Sequence, residues 1–424
     1  MAKIAVIGLG YVGITTAVGM GRLGHDVIGY DISSDRVMVL SEAKAPIHED
    51  GLEEALGSLK QSGKVSFTHT YQEVSDFKAD YFFICVPTPQ DASGAANLTF
   101  VLAAAKELSQ IAPADAIVVL KSTVPVGSGE RVKQALSRSD LHVASNPEFL
   151  REGSALHDFM KPDRIIVGAA SEQVSTRVLE LYGDISSRKI ATSVESAELI
   201  KYSTNAYLAM RLSFVNDLAA LCEKVGASVD DLVDGLGSDS RIGPSFLSPG
   251  PGWGGSCFPK DTRALVSVAS DFGLDLPLID AALESNEASL SRVVENIKEL
   301  AGGSLEGKVI GVWGLAFKAN TDDIRESPAM NIVARLLARG SEVIAFDPVA
   351  LAPKASGFSQ VQNAELAAAG VDVLAVLTEW PEFAQVDPIK VSESMKSKAV
   401  MDARRVLPVD AWRSAVDNFR VLGG

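Results

Sequence analysis

A chain of 424 residues is too long for one ordinary core and suits two or three domains. Its 47% hydrophobic and 22% charged content, with 35 glycines spread along its length, excludes a disordered polyampholyte, and neither a repeat array nor a low-complexity segment is visible. The net charge of −15 argues against a nucleic-acid or anionic-membrane surface, while leaving room for a local anion pocket.

Residues 3–7 predict a first strand rather than a signal sequence, because they run straight into Gly8-Leu9-Gly10-Tyr11-Val12-Gly13 without a small-residue cleavage site. A helix is expected from Ile14 to Leu23, stopped by Gly24, and then a second strand, Asp26 to Tyr30, ending at Asp31. This is a βαβ unit with an acid about twenty positions after the glycines, the arrangement that binds a dinucleotide. Asp31 would accept hydrogen bonds from both ribose hydroxyls and repel a 2′-phosphate, which favours NAD over NADP.

Further strands are predicted at Tyr81–Val86, Ala116–Leu120, His142–Ala144 and Arg164–Val167. The loops Pro87-Thr88-Pro89, Lys121–Gly127 and Asn146–Gly153 follow three of them, beyond the carboxyl ends where open α/β sheets bind ligands. Cys85 reads as a packing cysteine within its strand. From about Ser193 to Val225 the apolar spacing turns helical until Gly226, giving a helix long enough to join domains or form a dimer interface. A second, mostly helical stretch covers roughly residues 262–300.

The α/β rhythm then restarts with a strand at Lys308–Trp313, a helix around Met330 to Arg339, and a strand at Glu342–Phe346 ending at Asp347. This second half lacks the glycine fingerprint, and its loop Gly314–Arg325 offers cations instead. A different phosphate-bearing ligand or a solvated loop would each account for that. The expected fold is therefore α/β: two Rossmann-like doubly wound domains, residues 1–192 and 301–424, joined by a long central helix in a helical domain, residues 193–300.

Between them lies Gly254-Gly255-Ser256-Cys257-Phe258-Pro259-Lys260-Asp261. An alcohol gives up one hydride to become an aldehyde, but the aldehyde yields a second only after a nucleophile makes its carbon tetrahedral. A thiol does this and holds the intermediate, first as thiohemiacetal and then as thioester. Free thiols, with a pKa near 8.5, are a few per cent thiolate at pH 7, so Lys260 or Lys201 would usefully activate Cys257. Lys201 and Asn205 stand four apart on one helical face, where they either donate to a developing oxyanion or are simply solvated. Glycines around Cys257 would let the backbone approach a substrate closely.

Cys85, Cys222 and Cys257 are widely spaced and form no metal-ligand pair, which points to a reduced, cytoplasmic setting. No run reaches the roughly 20 apolar residues of a membrane helix. Asp322 and Asp323 lack a third clustered ligand, so ion pairing or helix capping is expected of them rather than metal binding. The five histidines lie outside the cysteine loop, leaving proton transfer to lysine, carboxylate and water.

Taken in order, Gly8–Gly13, Asn146–Gly153, Gly254–Asp261, Gly314–Lys318 and Arg325-Glu326-Ser327-Pro328 resemble the UDP-glucose 6-dehydrogenase family over nearly the whole chain. The resemblance implies an NAD-dependent, four-electron oxidation of UDP-glucose in a homodimer built on the central helix. Sister enzymes acting on GDP-mannose or a UDP-N-acetylhexosamine share the chemistry. It implies Cys257 as nucleophile, Lys201 and Asn205 as oxyanion donors, and Glu148, Thr123 and Asp261 as groups that position or deprotonate water. For NAD it implies Gly8, Gly10, Val12, Gly13, Asp31, Thr88, Thr123, Glu152, Lys260 and Arg325, with Arg36 where relatives commonly carry lysine. For the substrate it implies Glu148, Phe149, Leu150, Arg151, Glu152, Lys201, Asn205, the loop Phe246-Leu247-Ser248-Pro249-Gly250, Gly254 and Lys318.

Overall fold

A computed structural model describes residues 1–91, 94–183 and 185–424. Two compact units divide the chain, one formed by residues 1–204 with 263–274, the other by residues 205–262 with 275–424.

The first unit is built on β1 (Lys3–Ile7), β2 (Asp26–Tyr30), β3 (Val65–Thr68), β4 (Tyr81–Ile84), β5 (Ile117–Leu120), β6 (His142–Ser145), β7 (Arg164–Ala169) and β8 (Arg188–Thr192). They lie in the order β3-β2-β1-β4-β5-β6-β7-β8, parallel except where β7 runs against β6. The first six strands reproduce the doubly wound order whose switch point falls between β1 and β4. Alternate residues of β1 go to opposite cores: Ile4 and Val6 join Val18, Met20 and Phe83, while Ala5 and Ile7 join Phe82, Val118 and Leu108. Burial on both faces is why such strands read as unbroken apolar runs.

The second unit carries β9 (Val309–Trp313), β10 (Glu342–Phe346), β11 (Ser359–Gln360), β12 (Val373–Val376), β13 (Ala399–Asp402) and β14 (Asn418–Val421) in the order β11-β10-β9-β12-β13-β14. Every pairing here is parallel. Leu290, Val293, Val294 and Ile297 of the helix Pro277–Leu300 cover one face with Ile310, Val312 and Ala375. Trp313, Trp412, Phe383 and Leu374 fill the other.

The doubly wound α/β class is as expected, with a single helix running from Val194 to Val225. Cys85 differs slightly from its expected place. It sits one residue beyond β4, buried, with its N–H donating to Ile7 O at 2.8 Å, and burial pushes its thiol up to about 12. Among the described residues no helix is long and apolar enough to cross a membrane, and no three His, Cys, Asp or Glu side chains group as a metal site.

Candidate active site

The glycine turn after β1 is shaped by contacts that forbid side chains. Gly8 takes φ +92° and donates to Tyr30 O at 2.8 Å, and a Cβ there would meet the Cys85 carbonyl at 3.0 Å. A Cβ on Gly13 would lie 1.8 Å from Gly8 O, whereas one on Gly10 would meet nothing within 4 Å. The open space lies at Gly10, the N-cap of the helix Tyr11–Arg22, where helix N–H groups would hold a pyrophosphate. Val12 packs against the core below.

Asp31 is buried at the end of β2. Its Oδ2 accepts from Leu9 N at 2.8 Å and from Arg36 Nη1 at 3.2 Å, and its Oδ1 from Ser33 N at 2.9 Å. The carboxylate therefore braces the glycine turn and neutralises Arg36 while keeping one lone pair, on Oδ1, for a ribose. Thr88 Oγ1 donates to Thr123 O at 2.9 Å, tying together the loops after β4 and β5. The Tyr11 hydroxyl hydrogen-bonds Glu49 and accepts from Gly153 N, which holds the segment bearing half-buried Glu152 to the fingerprint helix. These residues fit the dinucleotide that the glycine cradle implies.

Past β6, Glu148 is buried and its Oε1 is 2.8 Å from Lys201 Nζ on the central helix, while Oε2 accepts from Leu150 N at 2.6 Å. Burial pushes the Glu148 carboxyl up, but Lys201, the Leu150 N–H and the more distant Lys121 charge outweigh that and hold it below the usual range. Phe149 lies between two cations, 4.0 Å from the Arg164 guanidinium and 5.5 Å from Lys201 Nζ. The Arg151 guanidinium is clamped on Asp158 at 2.6 and 3.0 Å.

In the second unit, the cysteine loop is fixed from two sides. Trp253 N donates to Asn286 Oδ1 at 2.8 Å, Asn286 Nδ2 returns a bond to Trp253 O at 3.0 Å, and the Trp253 indole donates to Ser213 Oγ at 2.9 Å. A Cβ on Gly254 would lie 2.0 Å from Glu326 O, and one on Gly255 would lie 2.9 Å from the Phe317 ring. The glycines thus admit the protein's own backbone and ring. Cys257 is half-buried just before the helix Phe258–Asp271, with its Sγ 3.6 Å from Ser256 Oγ.

Asp261, fully buried, accepts from Asn205 Nδ2 at 2.6 Å and from Lys260 Nζ at 2.6 Å. The two lysines considered as activators of the thiol are thus each paired with a carboxylate, Lys201 with Glu148 and Lys260 with Asp261.

The loop Phe246–Gly250 is seated by Gly250 N donating to Asn216 Oδ1 at 2.8 Å, by burial of Leu247 and by the Phe246 ring 6.1 Å from Phe258. Ser248 and Pro249 line a cavity of about 610 Å³ with Pro244, Asp230, Arg404 and Arg405. These two arginines escape sequence reading because they follow β13 with no motif around them. Lys318 lies over the Phe317 ring at 5.7 Å. Arg325 grips Asp323 with two bonds of 2.8 and 2.7 Å, the ion pair expected of that aspartate.

Asp347 stands at the end of β10 as Asp31 does at β2, but its lone pairs are taken. It accepts from Leu315 N, Ala316 N, Val349 N, Ala350 N and the Trp380 indole at 2.7 to 3.2 Å. The second sheet therefore has neither the glycine cradle nor an available ribose acid.

A glycine cradle with its ribose acid on one doubly wound sheet, and a cysteine at a helix start elsewhere in the same chain, define a dinucleotide-dependent oxidoreductase. Residues 2–186, 195–288 and 311–409 match, respectively, the NAD binding, central and UDP binding domains of the UDP-glucose/GDP-mannose dehydrogenase family. The chain belongs to that family and is an NAD-dependent nucleotide-sugar dehydrogenase. It is 39% identical to the UDP-glucose 6-dehydrogenase TuaD of Bacillus subtilis, covering 100% of this chain and 93% of that one. The UDP-glucose 6-dehydrogenase of Rhizobium meliloti is also 39% identical, with 96% of each covered. Among solved structures, a UDP-glucose dehydrogenase from Pyrobaculum islandicum superposes with a TM-score of 0.93 at 37% identity, covering 100% of this chain and 98% of that one. A UDP-D-ManNAc dehydrogenase from Pyrococcus horikoshii gives 0.89 at 27% identity, with 99% of each chain covered.

Proposed function

We propose that this chain oxidises UDP-glucose to UDP-glucuronate, consuming two NAD and one water and releasing two NADH and three protons, one of them from the carboxylic acid formed. The choice of sugar nucleotide is supported by the 37–39% identity to enzymes of that name, against 27% to the UDP-D-ManNAc dehydrogenase. The observation that carries the chemistry is Cys257, held at a helix start by a loop whose glycines are packed against the Glu326 backbone and the Phe317 ring.

In this reading Cys257 Sγ adds to the aldehyde carbon of the first oxidation product, forming a C–S bond while the carbonyl oxygen becomes the thiohemiacetal hydroxyl. NAD bound at the first sheet supplies the hydride acceptor for both oxidations. Lys201 and Asn205, on one face of the central helix, donate to the oxygen that gains charge. Water then cleaves the thioester, returning the thiol and leaving the carboxylate. Glu148 and Asp261, buried and held by lysines, are the carboxylates available to orient that water, and Thr123 stands in the loop tied to Thr88. Substrate contacts are assigned to Phe149, Leu150, Arg151, residues 246–250, Gly254 and Lys318.

We assign residues 1–192 to NAD, 193–300 to the helical connection and 301–424 to the UDP-sugar. A homodimer is supported by Tyr207, Phe214, Leu221 and Val225, which recur along the central helix at 54%, 55%, 54% and 65% exposure. A thiol nucleophile suits a reducing cytoplasm.

The decisive experiment counts NADH formed per UDP-glucose consumed. Two per sugar establishes the four-electron reaction, one means release at the aldehyde, and none with UDP-glucose but turnover of GDP-mannose or a UDP-N-acetylhexosamine reassigns the substrate. Cys257→Ser is expected to stop acid formation with the fold retained, and undiminished acid would refute the covalent route.

A further inference from the structure

Lys121, immediately after β5, is only 5% exposed, yet among the described residues its ammonium is hydrogen-bonded to no carboxylate. It donates to Asn146 Oδ1 at 3.1 Å and to the Tyr182 hydroxyl at 3.2 Å, and stands 5.7 Å from the centre of the Tyr182 ring. The Tyr182 hydroxyl donates in turn to Asn146 Oδ1. Burying an ammonium against two neutral partners is expensive, and an apolar side chain of similar length would fill the space at less cost. A costly buried charge beside reacting groups points to function.

The titratable groups facing Lys121 are Cys85 beyond β4, Glu148 beyond β6, Tyr182 after the helix Glu172–Glu180 and Lys201 on the central helix. Burial keeps the Cys85 and Tyr182 protons on, so Glu148 supplies the negative charge at neutral pH. Asn146 links the two. Its N–H donates to Leu120 O and its Nδ2 to Ile166 O, both at 2.8 Å, and Pro147 then stiffens the chain before Glu148 and Phe149. A cavity of about 30 Å³ under this turn is lined by Lys121, Asn146, Glu148, Phe149 and Tyr182.

We propose that Lys121 is a positioning residue of the oxidation site, pinning Asn146 and Tyr182 behind the Glu148–Phe149 turn and lending Glu148 a second buried positive charge besides Lys201. The proposal rests on the reading of Glu148 and Lys201 as groups of the reaction. Burial draws the Lys121 ammonium down to about 8, so its charge is lost as pH rises from neutral into the mildly alkaline range.

Full-length wild type, Lys121→Met, Lys121→Arg and Glu148→Gln are compared with NAD and UDP-glucose from neutral to alkaline pH. The carbon-13 carboxyl resonance of Glu148 is followed in parallel, without substrate. The expected result for Lys121→Met is a kcat lowered about 10- to 100-fold, the scale on which displaced groups slow catalysis, with KM for NAD within about twofold. Its Glu148 titration moves upward, the wild-type alkaline limb near pH 8 disappears, and Lys121→Arg restores most of the rate. A merely structural lysine would change melting temperature but neither the pH profile nor the Glu148 titration.

Wild-type kcat and an unmoved Glu148 resonance in Lys121→Met overturn the proposal while Glu148→Gln stays impaired. Full activity of Glu148→Gln removes the underlying reading and the proposal with it. If Lys121→Met does not fold, Tyr182→Phe carries the test: a shifted Glu148 titration supports the proposal and an unshifted one overturns it.

Discussion

Glu148 and Lys201 form a buried ion pair whose halves cannot be removed singly without penalty. Lys201→Met would leave a carboxylate in the interior with the Leu150 N–H and the more distant Lys121 charge but no directly bonded cation, a loss of about 3–5 kcal/mol at neutral pH by chemical denaturation. Because the folded Glu148 carboxyl lies below its ordinary value, the wild-type pair contributes stability that is present above that value and fades as pH falls through the folded one. The variant's deficit should therefore shrink on acidification. Lys121 has the opposite relation to stability. Its folded value of about 8 sits below the ordinary 10.5, so burial costs stability at neutral pH, on the order of 3 kcal/mol, and the cost is relieved as pH rises through that interval. Lys121→Met should then melt no lower than wild type at pH 7 while turning over more slowly. Cys257, Glu148 and Asp261 draw attention in the sequence because each sits in an ordered motif, whereas Lys201 and Asn205 offer only their four-residue spacing and take their expected role from the family resemblance. Lys121 was not, since its partners lie 25 and 61 residues away and a lysine ending an apolar strand reads as loop.

The cysteine loop and the helix Ser128–Leu136 show how elements are set by contacts that a local pattern does not display. Gly250-Pro251-Gly252-Trp253-Gly254-Gly255 repeats the spacing of the fingerprint, but no strand precedes it, and its glycines meet Asn286, Glu326 and Phe317. Spacing alone would misplace a phosphate there. Gly254→Ala would drive Cβ into the Glu326 carbonyl, where backbone cannot yield cheaply, and should cost about 1–3 kcal/mol in thermal stability together with most of the activity.

The helix Ser128–Leu136 begins where Glu198 accepts from Gly127 N and Gly129 N, both at 2.8 Å. Burial pushes this carboxyl up to about 7 from 4.5. The folded state thus holds a proton that the unfolded chain has released. Wild type should lose stability relative to Glu198→Gln as pH climbs between those values, with a constant gap outside them, as melting curves across pH would show. Buried strands such as β1 and β9 were readable from apolar runs. By contrast β8 is largely exposed and β11 is two residues long, so neither leaves a periodic trace.

At the scale of the whole molecule, the apolar stripe Tyr207, Phe214, Leu221 and Val225 should disappear into a partner copy. Sedimentation of wild type and Phe214→Asp tests this: a dimer that falls to monomer in the variant is expected, and a wild-type monomer would refute it. The two sheets share a strand order and an acid after the second strand, yet Asp31 keeps room for a ribose and Asp347 is saturated by the chain itself. The proposed oxidation removes two electron pairs from each sugar, and among the described residues one glycine cradle with an open ribose acid is present to receive them. Under the proposed reaction a reduced nicotinamide would have to leave and a fresh one enter while the half-oxidised sugar stays bound. On that view the bond to sulfur is also a mooring, one that keeps a reactive aldehyde from drifting off during the change of cofactor.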